Sequence, residues 1–342
     1  KLIIFDDELS PAQIKNFSNL SKSIKVIDRS SLILEIFSQH AKTKEAKTQV
    51  ELAQLEYMLP RLTRAWTHLE RQMGGIGTRA GAGETQIEVD RRLVRTRISN
   101  LKKELDKIDK ERETQRKNRK ENYKVALAGY TNAGKSTLMK ALSGSNVFIQ
   151  DQLFATLDTT IRSVEIDKSH TILLSDTVGF IRKLPHNLVA SFRSTLKEVI
   201  ESDLILIVLD SSNEYIDDHI KTITSVLDDI GAKNQTQIVL NKIDLIKSKS
   251  RFEFLKNLFP DGIYVSALDQ LRLDSLKKSI TKAMDKDRIV TELKLPYDRP
   301  KEIAFSQQDV EIIKRDYKDD HIFLKIRGSA KKIDQIKIMV KK

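Results

Sequence analysis

The chain has 342 residues, with 60 Lys and Arg against 48 Asp and Glu, 6 His and no Cys, for a formal net charge of +12. This length exceeds one ordinary hydrophobic core, so two or three domains are expected. The lack of cysteine excludes a disulfide scaffold and thiolate metal sites, and no apolar run reaches the roughly 18 residues of a bilayer span.

Hydrophobic residues at 39% and charged residues at 32% suit a globular protein. The opening Lys1–Phe5 lacks the basic, apolar, small-residue order of a signal peptide, so a cytoplasmic protein is expected. The positive charge is not spread evenly. Residues 1–40 and 121–290 are each balanced, whereas residues 41–120 carry 20 basic against 12 acidic side chains and residues 291–342 carry 13 against 9. Excess confined to one segment and the terminus points to a polyanionic partner for those parts.

In chain order, Leu2–Phe5 reads as a strand, Pro11–Leu20 as an amphipathic helix capped by Ser10, and Lys25–Ile27 as a second strand. Two strands are thin for a sheet, and the chain does not begin with Met. Residues 1–40 are therefore expected to be the end of a larger α/β subdomain.

From Ser31 to about Arg119 the pattern is helical. Ala46, Val50, Ala53 and Tyr57 mark one apolar face before Pro60. Ile87, Val94, Ile98, Leu101, Leu105 and Ile108 form a heptad seam in which Arg91 takes the one missing core position. Residues 41–120 are thus expected to be a basic antiparallel helical hairpin. Five glycines between Gly74 and Gly83 cannot be helical, so the hairpin ends in a glycine loop. A mere chain reversal needs far fewer residues. The loop and its flanks supply the candidate surface for that polyanion: Arg71, Gly74, Gly75, Gly77, Thr78, Arg79, Gly81 and Gly83, with Arg91 and Arg92 on the returning helix.

After a polar linker at Lys117–Asn122 the period changes. Short apolar strands at Val125–Ala128, Thr171–Ser175, Leu204–Leu209, Gln237–Leu240 and Gly262–Val265 alternate with helices near 136–143, 189–200, 217–230, 250–258 and 273–284. Residues 121–290 are thus a doubly wound α/β domain. Residues 291–342, with strand-like Val310–Ile313 and Ile322–Ile326 and a terminal helix at Lys331–Lys341, fit a small α+β domain. The whole is multidomain α/β.

Gly129-Tyr130-Thr131-Asn132-Ala133-Gly134-Lys135-Ser136, followed by Thr137, is a phosphate-binding loop placed between a strand and a helix. Its backbone N–H groups would face phosphate oxygens, Lys135 would reach the β- and γ-phosphates, and Ser136 would ligate Mg²⁺. Asp176-Thr177-Val178-Gly179 ends the next apolar strand, bringing a carboxylate near Mg²⁺ and a glycine N–H near the γ-phosphate. Asn241-Lys242-Ile243-Asp244 follows at another strand end, where Asp244 would accept both N–H groups on the guanine edge. Ser266-Ala267-Leu268 would support that edge from the backbone. Together these make a guanine-nucleotide domain, with catalytic weight on Lys135, Gly179 and a switch threonine.

Phe154-Ala155-Thr156-Leu157-Asp158, with Thr159 and Thr160, offers three hydroxyls for that switch, and spacing does not choose among them. Phe180 stands where Ras-type enzymes place a water-orienting glutamine, so unaided hydrolysis is expected to be slow. Asn132 is a candidate for holding a monovalent cation beside the phosphates, or it simply caps its loop.

These residues resemble the HflX family of ribosome-associated GTPases over roughly residues 1–290. The likeness is carried by Val50–Leu62, Gly74–Arg79, Gly83–Gln86, Asp90–Arg92, the phosphate loop, Phe154–Asp158 and Asp176–Ile181. The resemblance implies Thr156 as the switch threonine and second Mg²⁺ ligand beside Ser136. It also implies GTP and GDP as ligands, the large ribosomal subunit and its rRNA as partner, and dissociation of stalled or idle ribosomes. A monomer and ribosome-stimulated hydrolysis are expected. Ala82 departs from the proline usual in the family, and the tail matches only loosely. The alternative is a non-catalytic rRNA-binding assembly or anti-association factor using GTP as a structural switch. An ATP-dependent RNA-remodelling activity of the first residues finds no second phosphate loop in the sequence.

Overall fold

The computed structural model describes residues 1–20, 24–62, 86–117, 122–144, 159–167, 170–181, 193–286, 288–298, 300–306, 310–318 and 320–341. Glycine loop residues 74–83 and switch residues Phe154–Asp158 lie outside them. Two compact units divide the chain: Lys1–Ser163 with Leu173–Leu271, and Val164–Ile172 with Arg272–Lys342.

In the first unit, strands β1 (Leu2–Phe5) and β2 (Lys25–Asp28) pair in parallel, Leu2 against Lys25 and Phe5 against Asp28, with helix α1 (Pro11–Leu20) between them in sequence. Ser10 and Gln13 open α1 reciprocally. Ser10 Oγ accepts the Gln13 N–H at 3.3 Å, and Gln13 Oε1 accepts the Ser10 N–H at 2.9 Å, satisfying two donors that a helix start leaves orphaned.

Asp28, fully buried, holds this region together. Its carboxylate caps α2 (Arg29–His40) through Ser31 N–H at 2.8 Å and accepts from Leu9 N–H at 3.1 Å and from the Tyr57 hydroxyl at 2.7 Å. Arg61 lies 3.8 Å away and donates to Leu9 O at 2.9 Å. Burial and the Asp28 hydrogen bond push the Tyr57 phenol well above its ordinary range.

Helix α3 (Lys44–Met58) is capped by Thr43 and closes in a 3₁₀ turn, Leu59–Arg61, around Pro60. Its expected face is buried: Ala46, Val50 and Ala53, with Tyr57 against them, pack on Ile33, Leu34 and Phe37 of α2. Helix α4 (Gln86–Lys117) returns antiparallel, as the heptad pattern predicts. Arg91 meets Leu62 O at 3.1 Å, Arg97 meets Glu51 at 2.7 Å and Lys44 meets Glu104 at 2.7 Å. Val94 and Leu101 are buried between the helices with Leu52, Leu55 and Leu62. Arg91 is not in the seam: it is exposed, because a guanidinium finds its acceptor at the helix edge. Val89, off the expected seam, is buried instead.

The central sheet has the order β4-β5-β3-β6-β7-β8, formed by Thr160–Asp167, His170–Asp176, Tyr123–Gly129, Leu204–Asp210, Gln235–Asn241 and Ile263–Tyr264. Strands β3, β6, β7 and β8 run parallel. Helices α5 (Lys135–Ser143), α6 (Arg193–Ile200), α7 (Ile216–Asp229) and α8 (Lys249–Leu258) alternate with the strands, as the sequence suggests.

The second unit contains α9 (Leu273–Lys286) and a three-stranded antiparallel sheet of order β10-β11-β9. Its strands are β9 (Arg288–Pro296), β10 (Glu311–Lys318) and β11 (His321–Ser329). Helices α10 (Pro300–Ser306) and α11 (Ala330–Lys341) supply Ile303, Phe305, Ile333 and Ile336 to one sheet face, against Leu293, Leu295, Ile322, Leu324 and Ile326. Strand β9 (Arg288–Pro296) runs across residue 290, where the domain boundary was expected, and the second unit takes in the chain from Arg272 onward. Among the described residues no helix is long and apolar enough to cross a membrane.

Asp28→Ala removes the α2 cap, leaves the Tyr57 hydroxyl without its buried acceptor and takes the counter-charge from Arg61. A loss of about 3 kcal/mol in urea unfolding of this unit is expected, and Asp28→Asn, which keeps an acceptor oxygen, should lose less.

Candidate functional site

The described motifs stand at the carboxyl ends of β3, β5, β7 and β8, the edge where open parallel sheets bind ligands. Gly134 caps α5 at φ +87°, a left-handed conformation that turns the loop into the helix start. Asn132 is also left-handed at φ 60°, and it is exposed. Lys135 lies over the loop, 6% exposed, with Nζ donating to Gly129 O at 3.2 Å and Tyr130 O at 3.1 Å. Burial lowers its pKa to about 8, opposed by the neighbouring Asp176 carboxylate.

Ser136 Oγ donates to Asp176 Oδ2 at 2.5 Å, so the two oxygens sought for a hard cation are already adjacent. Thr177, buried, is tied to Leu127 O at 2.8 Å. Gly179 lies directly on the loop: a Cβ there would sit 2.7 Å from Thr131 Cα and 3.1 Å from Lys135 Nζ. Only glycine permits that approach. Beyond it, Phe180 N–H donates to Gly129 O at 3.0 Å and Thr131 N–H donates to Phe180 O at 2.8 Å, a short parallel bridge between switch and loop.

The Phe180 ring is 2% exposed and packs in the sheet core with Ala126, Ala128, Leu196 and Val199. It therefore points away from any attacking water. Val178 and Ile181 go elsewhere, into the α2–α3 cluster around Phe37 and Val50. No sequence signal marks this contact, because it joins segments more than a hundred residues apart.

At the base side, Asn241 is a bracket. Its Nδ2 donates to Ala133 O at 2.9 Å and its Oδ1 accepts the Ala267 N–H at 3.0 Å, tying the phosphate loop to the Ser266–Leu268 loop. Lys242, left-handed at φ 61°, reaches Asp210 at 2.8 Å. Asp244 follows in a 3₁₀ turn with its carboxylate exposed. Ser266 and Ala267 are buried, whereas the Leu268 side chain is 75% exposed, so that position can serve only through its backbone.

Asp210 and His219 were not singled out in the sequence. The His219 ring stacks on Tyr130 of the loop at 3.8 Å between centroids and 10° between planes. Burial lowers its pKa, opposed by Asp210 and Asp218. Of the three candidate switch hydroxyls, Thr159 Oγ1 is buried and Thr160 opens β4, while Thr156 lies outside the described residues. So do Arg71, Gly74, Gly75, Gly77, Thr78, Arg79, Gly81 and Gly83. Arg91 and Arg92 are described, and both are exposed on α4.

Three sequence families match the chain. "GTP-binding GTPase N-terminal" covers residues 1–38, "GTP-binding GTPase Middle Region" covers 40–119, and "50S ribosome-binding GTPase" covers 124–242. The chain is 58% identical to a "GTPase HflX" of Flavobacterium psychrophilum over 72% of its own length and 59% of that protein. It is 43% identical to the "GTPase HflX" of Caldanaerobacter subterraneus over 95% of its length and 74% of that protein. With the Escherichia coli "GTPase HflX" it shares 43% identity over 86% of its length and 70% of that protein. A solved GTP-binding protein of Sulfolobus solfataricus in complex with GDP is 29% identical, covering 82% of this chain and 80% of that one, with a TM-score of 0.48.

The Lys135 ammonium has a testable consequence. Its folded pKa of about 8 lies below the ordinary lysine value, so between them the unfolded chain holds a proton that the folded chain lacks, and stability from this group rises with pH through that window. A polyphosphate bound at the loop would restore the charge. Calorimetric titration with nucleotide at about pH 9, in buffers of different ionisation enthalpy, should show uptake of up to about one proton, falling away near pH 6.5. Equal uptake at both pH values would show that Lys135 is not the group involved.

Proposed function

We propose that this chain, which belongs to the HflX family of GTPases, binds GTP at the loop 129–137 and couples its hydrolysis to docking on the large ribosomal subunit. Dissociation of stalled or idle ribosomes is the reading the family supports best. The observation that carries the nucleotide assignment is the Asn241 bracket, which fixes the phosphate loop and the base loop in one frame.

Each role follows from that frame. Backbone N–H groups from Ala133 to Thr137 would face the phosphates, with Lys135 between the β and γ positions. The fit to Mg²⁺ rests on the adjacent hydroxyl and carboxylate of Ser136 and Asp176, with Thr156 as the further ligand when the γ-phosphate is present. The ion would neutralise charge on the β- and γ-oxygens. Gly179 N–H would meet the γ-phosphate, and Asp244 would accept two hydrogen bonds from guanine. Asn132, exposed at the turn of the loop, would offer its amide oxygen to a monovalent cation.

Phe180 supports the stimulated form of the mechanism. With its ring in the core it cannot orient water, so the group that does must come from a rearranged switch or from the ribosome. The docking surface in this reading is the basic hairpin of residues 41–120, with Arg91 and Arg92 on its returning helix and the glycine loop directed at rRNA.

Asp244→Asn should weaken GTP binding about 10- to 100-fold and improve xanthosine triphosphate binding, measured with fluorescent analogues. Unchanged GTP affinity would remove Asp244 from the base site. GTP turnover should be slow for the protein alone and rise at least about tenfold with large subunits. Binding to subunits without any rise in turnover would instead favour the non-catalytic assembly or anti-association factor.

A further inference from the structure

The C-terminal sheet of β9, β10 and β11 buries one face under α10 and α11. The register fixes what the other face carries. Across β11, Phe323 pairs with Lys294 on one side and Asp316 on the other, and Lys325 pairs with Glu292 and Lys314. The next pair along that face is His321 with Lys318. These residues alternate with the buried Ile322, Leu324 and Ile326, so they stand on the face opposite the helices.

Phe323 is out of place on a charged, solvated sheet face, since it is the one hydrocarbon side chain among those cross-strand partners. Two ammonium groups flank its ring, Lys318 at 5.4 Å and Lys294 at 5.8 Å from the centroid. The other cations are matched: Lys314 pairs with Asp316 at 2.7 Å, Lys325 with Glu292 at 3.0 Å and Arg327 with Glu311 at 3.2 Å. Charge complementarity to an anion therefore concentrates around the ring. The face also opens in that direction. At the far corner Glu311 is 35% exposed and converges with His170 and Asp285, while Lys314 is 65% exposed.

A half-buried aromatic ring between two lysines on an open antiparallel sheet satisfies a partner that offers a flat π surface and phosphates together. A duplex offers phosphates but keeps its bases stacked inside. An acidic peptide would engage the lysines and leave the ring unused. Unpaired nucleotides offer both. We propose that this face is a second nucleic-acid site, binding single-stranded RNA by stacking a base on Phe323 while Lys294 and Lys318 hold the flanking phosphates. RNA is chosen over DNA on the strength of the ribosomal reading above. The stacking chemistry itself does not depend on that reading.

The test uses the full chain and a fluorescein-labelled eight-nucleotide uridine-rich RNA carrying one 4-thiouridine, with the matching DNA as a second arm. Photo-crosslinks should map to the peptide around Phe323, and anisotropy should show affinity that falls with salt. Phe323→Ala should weaken binding about tenfold, and Phe323→Tyr, which keeps the ring, should restore it even if the alanine variant is poorly folded. Lys294→Glu with Lys318→Glu should lower both the affinity and the salt slope. Guanine-nucleotide binding should be unchanged throughout.

Crosslinks confined to residues 41–120 with all variants binding like the parent would overturn the site. So would variants that lose large subunits yet keep the oligomer, which would make the face a protein dock. Tighter binding of the DNA arm would refute the choice of RNA. Oligomer binding that persists while subunits fail to stimulate turnover would count against the ribosomal reading and leave this face standing.

Discussion

Everything in the first unit depends on where one short segment, Asp176 to Ile181, is held. Its backbone is hydrogen-bonded to the phosphate loop through Thr131 and Phe180, its glycine lies against Lys135, and its side chains leave in two directions. Phe180 enters the core of the GTPase sheet, while Val178 and Ile181 enter the cluster formed by α2 and α3. Protein cores are close-packed, so such a segment does not move by degrees. A change at the γ-phosphate that shifts Gly179 must either break the Phe180 bridge or alter how Val178 sits between the helices. Through this segment the phosphate loop and the α2–α3 cluster are joined by packing.

The same economy shapes the other half of the site. Asn241 uses both ends of one amide to set the distance between the phosphate loop and the base loop, and its own carbonyl accepts the Ser211 hydroxyl at 2.6 Å. Lys242 is pinned by Asp210 on the neighbouring strand end. Lys135, by contrast, is held by two backbone carbonyls that accept from its ammonium, while burial lowers its pKa to about 8. Pre-placing the ammonium lowers the ordering cost when an anion arrives, and the anion returns the charge that burial disfavours.

Much of this was legible because the chemistry is local. The phosphate loop, Asp176–Gly179 and Asn241–Asp244 are short runs whose residue types have few other uses, and the apolar strands before them place them at sheet ends. Strand β4 was not legible, since Thr160–Asp167 follows a run of hydroxyl residues and carries Arg162, Glu165 and Asp167 among its apolar positions. Strand β9 alternates well, yet it fell at a boundary drawn from charge. Arg91 shows the limit of periodicity: the heptad gave its position on the helix, but Leu62 O, from a different segment, decided that it lies outside the seam. The contacts of Val178 and Ile181 and the Tyr130–His219 stack had no sequence signature, because each depends on a long-range arrangement that nearby residues do not encode.

The positive charge within residues 41–120 is itself uneven. Between residues 63 and 85, around the glycine loop, three arginines face two glutamates, so the tip is nearly neutral. Helix α4, at residues 86–117, carries eleven basic side chains against seven acidic ones. Part of that charge is used to hold the hairpin: Arg97 is spent on Glu51, Lys102 on Glu56 and Arg112 on Glu45 of α3. Arg91 and Arg92 are exposed near the start of the helix, with Arg91 donating to Leu62 O. In the proposed reading, an electrostatic approach to an RNA backbone would belong to the long returning helix. The loop it leads to is suited to close backbone contact instead, since glycines carry no side chain to obstruct a base or a phosphate. Charge along the stem would steer and hold, while the glycine tip would fit.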